Sequence, residues 1–132
     1  MKYFEWTSDL DVGVHEMNCK HQHLIDLMND FVAKADARDP EGVKSSLEKL
    51  QGYTVQHFKD EEAYMQSIGF TGLASHQRIH QRLLESLAEH AGPIFAGSME
   101  VNGLETFLKM WLKSHIMGID SKYGDHAKSK VV

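Results

Sequence analysis

The sequence predicts an all-α fold, an antiparallel up-down four-helix bundle with an extended N-terminal arm. Three observations support this. Four segments repeat apolar residues at the 3.6-residue period of a buried helix face. Proline occurs only at positions 40 and 93, so long stretches are free to be helical. The connections between segments are short, which in bundles makes successive helices antiparallel neighbours. At 132 residues the chain is expected to be one domain, with the arm at about 1–14 and the bundle at about 15–126.

Along the chain, Tyr3, Phe4 and Trp6 mark an arm expected to pack on the body. The first helix is expected from about Glu16 to Ala37, with Met17, His21, Leu24, Met28 and Phe31 on one face. Asp39-Pro40-Glu41 reads as cap, first-turn proline and early acid, opening the second helix. Its inner face is Val43, Leu47, Leu50, Thr54, His57, Glu61 and Met65, and Gly69 is its expected stop. The third helix starts near Thr71 or Gly72, turns Leu73, His76, His80, Leu83, Leu87 and Ala91 inward, and is expected to end at Gly92-Pro93. Asn102 with Glu105 has the spacing of a capping box for the fourth helix. That helix buries Leu104, Leu108, Trp111, Leu112 and His115, and Gly118 is expected to weaken its end.

The net charge of −5, with no Lys/Arg cluster, argues against a nucleic-acid partner. The single cysteine, Cys19, excludes an internal disulfide and fits a reduced thiol in a cytoplasmic protein. The opening MKYFEWTSDLDVGV lacks the apolar run of a signal peptide, and no segment approaches the ~18 apolar residues of a span, so no membrane insertion is expected. A monomer is the expected state.

The unusual count is nine histidines. Five of them, with two acids, fall on the inner stripes of the four helices: His21, His57, Glu61, His76, His80, His115 and Asp120. His57/Glu61 and His76/His80 are one helical turn apart, so each pair shares a face. The step of five from His115 to Asp120 breaks that rhythm, and a frayed helix end is expected to let the carboxylate swing back. The other histidines, His15, His23, His90 and His126, are expected on the surface. Burying seven ionisable groups without a partner would cost roughly several kcal/mol apiece. A metal centre removes that cost, because it takes neutral imidazoles and ionised carboxylates.

The absence of thiolates disfavours structural zinc and iron–sulfur sites. Seven donors are too many for one ion and suit two bridged ones. If each ion takes about six ligands, both carboxylates bridge and a solvent oxygen also bridges, one position is left for a small exogenous ligand. Ferritin-like di-iron bundles rely on carboxylates. Here imidazoles predominate, which favours cycling between diferrous and diferric forms over high-valent chemistry.

Four motifs carry a resemblance. VGVHEMNCKHQHL, HFKDEEAYM, SHQRIH and WLKSHIMGIDSKY together resemble the hemerythrin family, in its single-domain bacterial form, over roughly residues 6 to 123. The resemblance implies that His76, His80 and His115 hold one iron and His21 and His57 the other, with Glu61 and Asp120 bridging. It implies a dioxygen pocket lined by Phe58, Trp111, Leu112, Ile116 and Tyr123, with Ile119 nearby. The chain departs from the family at Asn18 and Lys20, where members carry Asp and Gln, and at Phe70-Thr71, where Tyr-Pro is usual. Cys19 lies about 200° round the helix from His21 and is expected to face away from the irons.

The expected function is therefore reversible dioxygen binding at a non-haem di-iron centre, for storage, delivery or scavenging, without enzymatic turnover. Two other classes remain open. One is an oxygen or redox sensing module; the other is a di-iron peroxidase or an enzyme handling nitric oxide or nitrite.

Overall fold

The computed structural model describes residues 4–129, and Tyr3 lies outside them. It is an all-α four-helix bundle, with no strand among the described residues. A 3₁₀ turn, Ser8–Leu10, precedes helices α1 (His15–Asp36), α2 (Pro40–Ser67) and α3 (Leu73–Phe95). The fourth rod of the bundle is continuous but changes winding twice. It begins as α4 (Asn102–Met110), becomes a π-helix over Trp111–Asp120 and ends as α5 (Ser121–Ser129). None of the described helices is long and apolar enough to cross a membrane.

Local chemistry sets the ends of the helices. The Asp39 carboxylate accepts the Gly42 N–H at 3.0 Å, with Pro40 as the first helical residue of α2. Gly69, at φ +67°, closes α2 in the left-handed conformation that suits glycine. Two ends differ from expectation. Helix α3 runs through Pro93 to Phe95, and Gly97 at φ +112° ends it. Proline loses its own N–H bond and crowds the carbonyl four residues before it, and burial of Ile94 in the extra turn works against that cost. The capping box at Asn102 does not form, since the cap is Val101 and no side chain bonds the first turn. Starting there buries Val101, and apolar burial outweighs one exposed cap bond.

The inner stripes meet in one core, in which Leu24, Met28, Phe31, Leu47, Leu50, Met65 and Leu108 are sealed from solvent. Leu73 and Leu83 are only partly buried against it. Of the remaining histidines, His15 and His23 are exposed, whereas His90 and His126 are half-buried, contrary to expectation. His90 packs its ring on Phe107, and His126 lies 3.2 Å from the Ile68 carbonyl oxygen with its ring beside Phe70.

The arm is clasped to the bundle by two asparagines. The Phe4 N–H donates to Asn29 Oδ1, and Asn29 Nδ2 donates back to the Phe4 carbonyl oxygen, both at 2.9 Å. Asn18 accepts the Val12 N–H at 3.0 Å and donates to Asp11 at 2.7 Å. Asn18 therefore braces the arm, and Lys20 pairs with Asp60 on α2 at 3.2 Å. Both are positions where the sequence departs from the family it resembles. Phe4, Leu10 and Val12 are thereby buried. At Gly124 the arm comes so close that an added Cβ would lie 1.6 Å from the Val12 carbonyl oxygen.

That approach makes a prediction. Gly124→Ala must push the arm off the bundle or distort α5, at a cost of about 1–3 kcal/mol. A lower denaturation midpoint and faster proteolysis within the first dozen residues are expected; unchanged values for both would show that the arm is not held there.

Candidate metal centre

Each element delivers its share by its own periodicity. α1 supplies His21; α2 supplies His57 and Glu61 one turn apart. α3 supplies His76 and His80 one turn apart, with ring centroids 4.4 Å from each other. The π-helix supplies His115 and Asp120. Its i→i+5 bonding aligns residues five apart, so the five-residue step puts both side chains on one face. The frayed end expected at Gly118 is not found, and Gly118 lies within the π-helix facing open space. All seven side chains come together in the interior, and no residue of the set is more than 2% exposed.

Their donor atoms fall into two groups that share Glu61. One is Glu61, His76, His80, His115 and Asp120; the other is His21, His57 and Glu61, with the donors of each group within 4.8 Å of one another. Asp120 Oδ1 lies 2.8 Å from His76 Nε2 and 2.9 Å from His115 Nε2. Its Oδ2 lies 3.3 Å from His21 Nε2 in the second group. Glu61 Oε1 lies 3.3 Å from His57 Nε2 and 3.4 Å from His80 Nε2, while Oε2 lies 3.1 Å from His21 Nε2. Two donors at right angles on one ion, each about 2.1 Å away, stand about 3 Å apart. The spacing therefore suits metal coordination.

The surroundings are aromatic and apolar. Phe58 is stacked on His80 with centroids 3.8 Å apart and planes 1° from parallel, and Trp111 packs against Phe58 at 5.5 Å. Leu112 and Ile116 are buried and Ile119 is half-buried. Tyr123, expected as pocket lining, is sealed from solvent and donates its hydroxyl to Glu61 Oε2 at 2.6 Å. Glu62, the second acid of the EE pair, lies 2.8 Å from His80 Nδ1. Sequence reasoning assigned no role to Glu62. The only available signal was its place beside Glu61, about 100° further round α2. Cys19 is exposed.

Burial alone would lower the His21 pKa, but the Asp120 and Glu61 carboxylates beside Nε2 raise it to about 9. Burial drives His57 down to about 4 against the pull of Glu61. For Glu61, burial and the Asp120 charge favour the protonated form, yet His57, His21 and His80 outweigh them and hold it at about 2. Asp120 is likewise held well below the usual carboxylate range, against burial, by His115, His21 and His76. Burial, then Glu61 and Asp120, push the Tyr123 phenol up, so it stays a donor. The Nε2 atoms of His57, His76, His80 and His115, with Glu61 Oε1 and both Asp120 oxygens, are buried without a hydrogen-bond partner. Native interiors rarely leave so many polar atoms unpaired. Cations between the two carboxylates would engage them all, so the donor set fits a metal centre.

The chain matches the hemerythrin family, described as the hemerythrin HHE cation binding domain, over residues 12–127. A bacteriohemerythrin of Stenotrophomonas maltophilia is 29% identical over 129 residues, covering 98% of this chain and 84% of the relative. A bacteriohemerythrin of Methylococcus capsulatus is 31% identical over 126 residues, covering 94% of this chain and 96% of the relative. A crystal structure of a hemerythrin with a leucine-to-alanine substitution aligns with a TM-score of 0.87 at 29% identity, over 96% of this chain and 98% of that one.

The raised pKa of His21 yields a prediction about metal loading. Below pH about 9 the metal-free chain holds a proton on His21, and that proton must leave before Nε2 can bind a cation. Apparent affinity should therefore rise as pH climbs toward 9 and then level off. Calorimetry of Co²⁺ binding in buffers of different ionisation heat should find about one proton released at pH 7.5 and a small fraction of one at pH 9.5. No release at the lower pH would mean that His21 is already neutral.

Proposed function

Because the chain belongs to the hemerythrin family, we propose that it binds dioxygen reversibly at a non-haem di-iron centre, for storage, delivery or scavenging. The observation that carries this reading is the buried donor set, in which five imidazoles outnumber two carboxylates. In this reading His76, His80 and His115 hold one iron, His21 and His57 hold the other, and Glu61 and Asp120 bridge them. The contacts of Asp120 support bridging, since Oδ1 faces His76 and His115 while Oδ2 faces His21. Two irons held there would supply the two electrons that dioxygen takes up on binding and returns on release.

The protein's own part is to hold the donors and keep water out. Tyr123 fixes Glu61 through its hydroxyl, so this carboxylate is oriented from outside the ligand set. An ion on the two-histidine side would have fewer protein nitrogens and so could take a small ligand. Phe58, Trp111, Leu112, Ile116, Ile119 and Tyr123 form the proposed lining, and an apolar wall limits both solvent and stray protons. Outside it, a groove of about 460 Å³ runs between the arm and the π-helix, with Phe4, Leu10, Leu112 and Met117 among its walls. Leu112 alone among its buried wall residues shares an element with His115 and Asp120.

The test is the visible spectrum of the ferrous-loaded chain before air, after air and after oxygen removal, with iron quantified on the same sample. About two irons per chain and an absorption band that comes and goes with oxygen are expected. One iron per chain, or rapid peroxide turnover in place of a stable oxygenated form, would overturn the reading.

Shortening the wall should shorten the life of the oxygenated form. Leu112→Ala is expected to keep its iron but to decay several-fold faster to the oxidised protein, because the groove then admits water. Decay of the oxygenated band at matched iron content measures this; equal lifetimes would remove Leu112 from the lining.

A further inference from the structure

His80 differs from the other four buried imidazoles. Its Nδ1 lies 2.8 Å from a Glu62 oxygen, and among the described residues no other imidazole of the set has a carboxylate at Nδ1. The Nδ1 atoms of His21, His57 and His115 are buried without any partner. The His80 ring is also held by its face, stacked on Phe58 at 3.8 Å. Edge and face are thus both fixed by residues of α2, while the ring belongs to α3. Glu62 itself is not sealed in, with its side chain 26% exposed. Its charge can therefore stay solvated while one oxygen reaches inward.

An imidazole that gives Nε2 to a metal must carry its proton on Nδ1. An anionic acceptor at Nδ1 selects that tautomer, fixes the ring plane and pushes electron density toward Nε2. A stronger nitrogen donor favours the more highly charged ferric ion over the ferrous one. We propose that Glu62 is a positioning residue for the metal centre: its carboxylate, together with Phe58, presents Nε2 of His80 to the three-histidine half and makes that imidazole a stronger donor. This rests on the reading that the site holds iron. It adds a reason for the asymmetry between two halves that already differ in histidine number. One stretch of α2, from His57 through Phe58 and Glu61 to Glu62, then reaches both halves.

The test uses the full iron-loaded chain in three variants. Glu62→Gln keeps an acceptor oxygen and removes the charge, Glu62→Ala removes both, and Glu48→Ala, an exposed acid elsewhere on α2, controls for charge alone. Competition against a ferrous chelator should show iron affinity about 10- to 100-fold weaker in Glu62→Ala. The midpoint potential of the di-iron couple should move to more positive values in Glu62→Gln and stay unchanged in Glu48→Ala. A purely structural role for Glu62 would lower the melting temperature without moving the potential. Unchanged affinity in Glu62→Ala, or an unchanged potential in Glu62→Gln, overturns the proposal. If the wild-type chain takes up no iron, the functional reading fails separately, and the same competition with Zn²⁺ still decides whether Glu62 supports metal binding at His80.

Discussion

The bundle is organised around one electrostatic constraint: two carboxylates and five imidazoles are held in an interior from which water is excluded. Ionised groups in such a place are costly unless each faces a partner of opposite charge or a cation. Without metal the cluster is only partly compensated. His21 keeps a proton between Glu61 and Asp120, and both acids stay ionised. Several donor atoms are nonetheless left without a hydrogen bond. The four rods have to hold a common register for these atoms to converge, so the apolar packing above and below the cluster serves the geometry of the centre as well as the stability of the fold.

The fourth rod shows how backbone winding answers that constraint. α-Helical pitch aligns residues three or four apart, which suits His57 with Glu61 and His76 with His80. It does not suit His115 with Asp120. The chain changes winding where these two must share a face and returns to α-helix at Ser121. π-Helix is rare and concentrates at functional sites, so it is consistent with a local backbone cost offset by the interactions of Asp120. The return to α-helix also carries Tyr123 inward, where its hydroxyl meets Glu61. One change of pitch therefore orients one acid directly and the other through a phenol.

A second layer of residues supports the first. Phe58 and Glu62 hold one imidazole by face and edge, and Tyr123 holds a carboxylate. Further out, Asn18 and Asn29 clasp the arm over the flank of the π-helix. The arm closes one side of the groove whose inner wall includes Leu112. Attachment of the arm and the shape of that groove are thus parts of one arrangement.

Much of this was legible in the sequence. Helical periodicity marked the buried stripes, Asp39-Pro40 marked the start of α2, and the coincidence of histidines and acids on inner faces marked the cluster. These features are local, because a repeat of 3.6 residues and a capping carboxylate act within a turn or two of themselves. What the sequence could not determine depends on contacts between distant segments. Val101 displaced Asn102 as a cap because the core was there to receive it, and Ile94 carried α3 past its proline for the same reason. The pitch of the fourth rod was invisible because no local pattern distinguishes a frayed helix from a π-helix. Only the position of the other three rods makes Asp120 point inward. Glu62 and Tyr123 likewise gain their partners, His80 and Glu61, from neighbouring helices. By itself the sequence determined most of the buried stripes and the chemistry they carry; the tertiary structure decided how deeply residues such as Leu73, Leu83, His90 and His126 would sit and which atoms would face one another, because contacts across helices depend on a register that no single helix contains.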